Sequence, residues 1–345
     1  MTKQNPEGFS TSMLKFYDQQ GRKDLPWQQN KSGYSVWVSE IMLQQTQVKT
    51  VIPYYQKFMR HFPTLQSLAE ADMDQVLTLW AGLGYYSRAR NLHACAKQLW
   101  HNFNGQFPQD LKTLMSLKGI GESTAGAILS LAYGKPEAIL DGNVKRVLAR
   151  YFLVDGWYGK TSVMQQLWQL SRQLTPKQCT GEFNQAMMDL GADICNRANP
   201  RCLVCPLKNQ CRAHLEGKTA EYPHRKPTNK IPTRSADLLL IQRDQQIQLQ
   251  KRPPSGIWGG LWSLPELETD KNTDFDQIGQ FTHTFSHFKL QASVQSPSNK
   301  AKTSTKSFLI AENPMLAWHN LNQLHEIALP TPIKLFLQQY FKLTE

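Results

Sequence analysis

Two acidic residues and one set of four cysteines are the side chains of this 345-residue chain whose types and spacing could do chemistry. Glu40 lies in Val36-Trp37-Val38-Ser39-Glu40-Ile41-Met42-Leu43, a helical segment that surrounds an acid with apolar neighbours. Burial there would raise its pKa and keep it protonated near neutral pH, which a general acid needs. The alternative is an exposed Glu on an amphipathic helix. Asp141 follows the apolar pair Ile139-Leu140 and precedes the helix VKRVLARYF. At a helix start, free amides and the positive dipole end favour the ionised carboxylate, although such an Asp could simply cap its helix. One carboxyl kept as acid and one kept as anion form the pair that cleaves glycosidic bonds.

Cys195, Cys202, Cys205 and Cys211 have six, two and five residues between successive members, which suits one four-thiolate site. Tetrahedral sulfur ligation fits zinc or a [4Fe-4S] cluster. Zinc ribbons usually use two CxxC knuckles far apart, whereas here there is one knuckle, with Pro206 behind it. The spacing therefore favours iron and sulfide, leaving zinc or a disulfide pair as alternatives. Cys95 and Cys179 read as plain core residues.

The elements that must position these groups are helical over residues 1–215. Segments such as QSLAEADMDQVLTLW, ARNLHACAKQLWHNF and TSVMQQLWQLSRQL repeat apolar residues at three and four. Pro26, Pro53, Pro63, Pro108, Pro136 and Pro176 are expected between helices. Residues 110–133 read as helix, Gly119-Ile120-Gly121 turn, helix, with Asp110 as N-cap. Such a helix-hairpin-helix can hold a phosphate on the free amides at the second helix's start; an ordinary helix-to-helix turn is the plainer reading. Residues 216–234, rich in Pro and basic residues, are expected to be a linker. Over 235–345, DLLLI, QIQLQK, HTFSHFKLQASV and KSFLIA are candidate strands and PTPIKLFLQQYFKL a terminal helix, giving a second, α+β domain.

Lys plus Arg number 39 against 27 Asp plus Glu, a net charge of +12, which favours a polyanionic partner such as nucleic acid. No run approaches the ~18 apolar residues of a spanning helix, and the first ten residues do not resemble a signal peptide. A soluble, intracellular protein with no membrane partner is expected, and six cysteines in so long a chain do not form a secreted disulfide framework.

LPWQ at 25–28, VSEIMLQQTQV at 38–48, AGLGYYSRARNL at 81–92, LKGIGESTAGAI at 117–128, ILDGNVKRVLAR at 139–150, the cysteine quartet, RPPSGIWGGLW at 252–262 and FSHF at 285–288 resemble, in this order, the endonuclease III superfamily of DNA glycosylases. Within it they resemble the MutY-type adenine glycosylase branch. The resemblance implies a [4Fe-4S] cluster on the four cysteines. It also implies a substrate of double-stranded DNA carrying adenine opposite 8-oxoguanine or guanine, and a cytoplasmic enzyme that meets the bacterial nucleoid through DNA, a monomer by default. Glu40 would protonate adenine, Asp141 would stabilise the sugar cation or its adduct with Asn143 positioning it, and Gln185 would bond to the extruded base. Base flipping is required because the stacked duplex hides the bond. Ser123 would line the base pocket. In the lyase branch this slot holds a Schiff-base lysine, so a hydroxyl points to a monofunctional hydrolase. Lys145, near Asp141, could trap a little sugar aldehyde. Gln45 and Tyr85 would insert beside the opposite base with Leu83 nearby and Thr46 also at the DNA, core packing and turn formation being the plainer reading of this group; Lys23 would contact the opposite strand, and Gly119 and Gly121 would face phosphate.

The second domain resembles the Nudix fold. Gly260 and Glu266 match the start of a Nudix box, but Asp274 and Phe275 stand where Arg and Glu belong, so a magnesium site lacks ligands. Lesion reading through Phe285, Ser286 and His287 is the expected role, and His283 and His287, read as one strand face, lack the partners of a zinc site. The competing readings are a non-catalytic iron-sulfur DNA binder, which has no need of Glu40 and Asp141, and a lyase, which Ser123 opposes.

Overall fold

A computed structural model describes residues 6–227, 230–267, 275–298 and 315–343. Contacts divide it into two compact units, residues 1–70 with 91–228, and 71–90 with 229–345. The helices up to the cysteine loop are α1 (Pro6–Gln20), α2 (Pro26–Gln29), α3 (Gly33–Leu43), α4 (Val48–His61), α5 (Leu65–Glu70), α6 (Met73–Trp80), α7 (Ser87–Asn102), α8 (Leu111–Ser116), α9 (Glu122–Tyr133), α10 (Gly142–Phe152), α11 (Thr161–Leu174) and α12 (Thr180–Asp189). A π turn, Leu190–Ile194, extends α12, and α13 (Arg212–Leu215) closes the loop.

The first unit is organised around α3. Its N-cap Ser32 accepts from the Ser35 amide at 3.0 Å, and a helix apolar on every side belongs in an interior. It packs on α9, α9 on α12, α12 on α1, and α10 on α11, α12 and α13. Phe9 of α1 meets Tyr151 edge to face at 4.8 Å and Phe183 at 6.3 Å, joining three helices; truncating such a ring costs ~3–5 kcal/mol.

Three expectations change here. Pro53 lies inside α4, where it forgoes one backbone hydrogen bond, and the burial of Val51, Tyr55 and Phe58 carries the helix through. QSLAEADMDQVLTLW is two helices, because the Asp72 amide donates to Gln75 Oε1 at 3.2 Å and starts α6 afresh. Cys95 is buried as expected, but Cys179 is exposed, standing as the left-handed N-cap of α12. Within residues 216–234, Tyr222 is buried, its carbonyl accepts from Arg150 Nε at 2.8 Å and its hydroxyl donates to Asp155 at 2.6 Å.

In the second unit, β1 (Thr233–Leu239), β2 (Gln242–Arg243), β3 (Gln246–Lys251), β4 (Trp262–Ser263), β5 (Phe275–Thr284), β6 (Lys289–Pro297) and β7 (Leu316–Asn320) form two sheets, and α14 (Thr331–Phe341) follows. One sheet runs β1-β6-β5, with β1 parallel and β5 antiparallel to β6; the other runs β2-β3-β4 with β7 also on β3. KSFLIA lies outside the described residues. HTFSHFKLQASV is not one strand: the Phe285 amide donates to the Phe288 carbonyl at 2.9 Å, the two rings stack at 4.6 Å, and the chain reverses between β5 and β6. His283 and His287 therefore do not share a strand face, which removes the basis for treating them as a pair.

Candidate active site and cysteine loop

Glu40 is the one residue between Gly33 and Met42 that is not buried. Its neighbours on the helix are buried, and Glu40 itself is half-buried. Desolvation pushes the carboxyl up to about 8, and the charge of Asp141 acts in the same direction. Asp141 caps α10: its Oδ1 accepts from the Val144 amide at 2.7 Å and its Oδ2 from Asn143 Nδ2 at 3.2 Å. Burial lifts this carboxyl above the ordinary range as well, while the amides of Val144 and Asn143, the Arg146 charge and the Asn143 side chain pull it back. Capping alone thus does not set its charge, as the sequence suggested; capping opposes a larger desolvation. The donors around Asp141 favour its anion, and the charge of Asp141 in turn favours the protonated form of Glu40.

Asn143 is held in turn, since its Oδ1 accepts from Arg146 Nη2 at 2.7 Å. Arg146 also donates to the carbonyls of Gly191 at 2.6 Å and Cys195 at 2.7 Å. One turn on, the buried Arg150 donates to the carbonyls of Cys195, Asn196, Arg197 and Tyr222 and reaches Cys195 Sγ at 3.4 Å. Neither arginine stood out in the sequence, although their spacing of four puts both on one face of α10. Lys145 Nζ lies 5.7 Å from the Tyr158 ring centroid; burial lowers its pKa and Asp141 raises it.

Gln185 is buried on α12, its Nε2 donating to Asp189 Oδ1 at 2.8 Å. Asp189 is fully buried and is held by the Arg22 backbone amide at 2.9 Å and guanidinium at 2.5 Å. A carboxylate only accepts, so Gln185 turns its amide nitrogen inward and keeps its carbonyl oxygen for another donor. The Arg22–Asp189 pair was not foreseen; the four-residue spacing of Gln185 and Asp189 was its one local sign. Ser123 Oγ accepts from the Leu140 amide at 2.9 Å.

The hairpin forms between α8 and α9. Asp110 Oδ1 accepts from the Thr113 amide at 2.8 Å, as its N-cap position predicts. Gly119 has φ +80° and would place a Cβ 2.8 Å from Asn91 Cβ, so two constraints select glycine there. At Gly121, the N-cap of α9, a Cβ would meet no described atom; the space ahead of the helix is open. Gln45 and Tyr85 both adopt left-handed backbones, φ +58° and +48°, and both are exposed. Thr46 is half-buried and Lys23 is exposed, donating to the Asp18 carbonyl at 2.9 Å. Leu83 is buried, as the core-packing reading of this turn has it. Arg88 is also buried, donating to the carbonyls of Leu83 and Gly84 and lying over the rings of Trp80 and Tyr85.

The thiols of Cys195, Cys202, Cys205 and Cys211 lie within electrostatic reach of one another, and burial with this mutual charge pushes Cys205 up to about 12. Among the described residues no three His, Cys, Asp or Glu side chains converge as a metal-holding group. The donor chemistry nevertheless fits a cluster: four thiols share one short loop, and the buried Arg150 donates to Cys195 Sγ at 3.4 Å. Nothing comparable stands at the Nudix-box match, where Glu266 is paired with Arg252 at 2.9 Å. At the β5–β6 tip, Ser286 and His287 are exposed and Phe285 half-buried, with Trp258 6.0 Å from the Phe285 ring and the Arg234 guanidinium 4.8 Å from that of Phe288.

Helix-hairpin-helix architecture with paired carboxyls defines a base-excision DNA glycosylase. The model described as "HhH-GPD superfamily base excision DNA repair protein" matches residues 38–173, and that of the NUDIX domain matches 237–339. A thermostable thymine-DNA glycosylase structure superposes with TM-score 0.54 at 26% identity, covering 61% of this chain and 97% of that one. A non-covalent endonuclease III–DNA complex shares the fold at TM-score 0.53 and 23% identity, covering 63% and 98%. Adenine DNA glycosylase of Buchnera aphidicola (subsp. Acyrthosiphon pisum) is 39% identical over 97% of this chain and 98% of its own length, and that of Homo sapiens 34% over 96% and 74%. The chain belongs to the adenine DNA glycosylase family, and is accordingly a DNA N-glycosylase of base excision repair.

Proposed function

We propose that this enzyme hydrolyses the N-glycosidic bond of adenine opposite 8-oxoguanine or guanine in double-stranded DNA, after flipping the adenine out of the stack. The observation that carries the reading is the carboxyl pair: Glu40 is pushed up to about 8, so it holds a proton near neutral pH, while Asp141 is surrounded by donors to its anion. Glu40 protonates the adenine ring at N7, which makes the base a better leaving group. Asp141, oriented by Asn143, offsets the positive charge that grows on the sugar. Gln185 offers its carbonyl oxygen to the exocyclic amino group of adenine. A hydroxyl at Ser123 forms no imine, so water completes the reaction and the strand is not cut; Lys145, one turn from Asp141, traps at most a minor fraction of aldehyde.

Gln45 and Tyr85 are the wedge. Left-handed, exposed non-glycine residues are strained, and such strain collects where a side chain must be presented. Thr46 and Lys23 border the DNA. Leu83 supports the Tyr85 turn from within. Gly119 shapes the hairpin and the open N-terminus of α9 at Gly121 receives a phosphate. Cys195, Cys202, Cys205 and Cys211 hold a [4Fe-4S] cluster, which when bound fixes the loop that Arg146 and Arg150 join to α10. The C-terminal domain reads 8-oxoguanine with Phe285, Ser286 and His287.

Single-turnover assays on duplexes containing 8-oxoguanine:A, G:A and T:A test this reading. Adenine is expected fastest from 8-oxoguanine:A, more slowly from G:A and negligibly from T:A. Equal release from all three would remove the mispair assignment.

A further inference from the structure

We infer that Ser171, acting with Ser123, positions Asp141 by gripping the Ile139–Leu140 peptide one unit upstream of it. Ser171 Oγ, on α11, donates to the Ile139 carbonyl at 2.6 Å. Ser123 Oγ, on α9, accepts from the Leu140 amide at 2.9 Å. That carbonyl and that N–H belong to one planar peptide unit, in which they point in opposite directions. Two hydroxyls on two helices therefore hold both ends of a single plane, which ends at the Cα of Leu140, one peptide unit before Asp141. On its far side Asp141 is pinned as the cap of α10. Its carboxyl thus stands between two fixed points.

Other features of the sequence favour this role over plain packing. The buried face of α11 is Val163, Leu167, Ser171 and Leu174, an apolar stripe broken by one serine. A hydroxyl at 5% exposure on such a stripe needs a partner, and the one it finds lies 32 residues away. Gly126 completes the grip: a Cβ there would come within 2.2 Å of the Ala138 carbonyl oxygen, so only glycine lets this segment lie directly on α9.

The inference rests on the role of Asp141 proposed above. Because Ser171 acts through Asp141, its loss has a signature that packing damage lacks. If the plane tilts, the carboxyl moves off its amide donors, and the pH at which Asp141 ionises rises.

The test compares wild type, Ser171→Ala, Ser171→Thr and Ser123→Ala by single-turnover adenine release from a G:A duplex across pH, and by binding of a duplex carrying an uncleavable abasic analogue. Ser171→Ala is expected to slow release about tenfold to a hundredfold, as a small misplacement of a reacting group does. The acid limb of the profile should move to higher pH, duplex binding should stay within about twofold, and Thr should restore rate and limb together. A slower rate with an unmoved limb means packing and overturns the inference, as does an unchanged rate. Amide exchange at Leu140 in Ser123→Ala, expected to be faster than in wild type, judges the grip without reference to activity and also serves if Ser171→Ala does not fold. Unchanged exchange at Leu140 overturns the grip. Absence of release by wild type, with the exchange result as expected, would instead count against the proposed function.

Discussion

The carboxyl pair and the β5–β6 tip hold their side chains in opposite ways. Asp141 has both carboxyl oxygens bonded and its approach peptide held from two helices, and Glu40 is flanked by buried residues on its own helix. Ser286 and His287 stand exposed on a turn closed by one backbone hydrogen bond and a ring stack. Bond cleavage gains from groups held before substrate arrives, in a site poor in water, whereas a lesion can be read by side chains that settle as they meet it. The proposed division of labour is then that helices carry the reaction and the turn carries discrimination.

The largest expected effect breaks this contrast most directly. Glu40→Gln should lower single-turnover release about 10²–10⁴-fold and leave duplex binding unchanged, the range for loss of a general acid. A turn variant that slowed the G:A reaction as much would erase the distinction. In wild type the rate should fall as pH rises through about 8, where Glu40 loses its proton, and that limb should vanish from the residual activity of the variant.

The same group makes a stability prediction. Its pKa is raised on folding from 4.5 to about 8, so its contribution is present in full below about 4.5 and is lost as pH rises toward 8. Glu40→Gln should therefore match wild type in Tm near pH 4 and exceed it near pH 9, by a few kcal/mol in unfolding free energy. Equal Tm values at pH 9 would show that this carboxyl is not desolvated.

Two smaller effects sharpen the other half. Phe285→Ala with His287→Ala should reduce the preference for 8-oxoguanine:A over G:A about tenfold, ~1.4 kcal/mol, while G:A cleavage stays near wild type. Parallel loss on both substrates would return the turn to a structural role. Gln45→Gly should relieve a left-handed backbone and raise unfolding stability by ~1 kcal/mol, yet weaken duplex binding. A gain in stability with no loss of binding would leave Gln45 strained without purpose.

Much of the site was legible because it is local. Asp110 and Asp141 announce themselves as caps by their residue type and the helix-forming run directly behind each, and Thr161–Leu174 is the helix its apolar spacing predicts. Glu40 was conspicuous as an acid in an apolar run. Pro53 was misread because side-chain burial outweighed one missing backbone bond, and HTFSHFKLQASV because a stacked pair of phenylalanines turns a strand-like pattern into a reversal. Arg88 gives no local sign of its burial, since nothing local marks a turn that folds its own side chains inward.

The sequence alone determined the helical body and the strand-bearing domain, the cysteine set, serine rather than lysine at 123, and the two acids, because caps, periodicity and residue chemistry act within a few positions. Only the tertiary structure decided that Glu40 is half-buried among buried neighbours, that Arg22 reaches Asp189, and that Ser123 and Ser171 meet one peptide. Those partners lie 167, 17 and 32 residues apart. At such separations pairing follows from which faces pack together, and no local pattern carries that information.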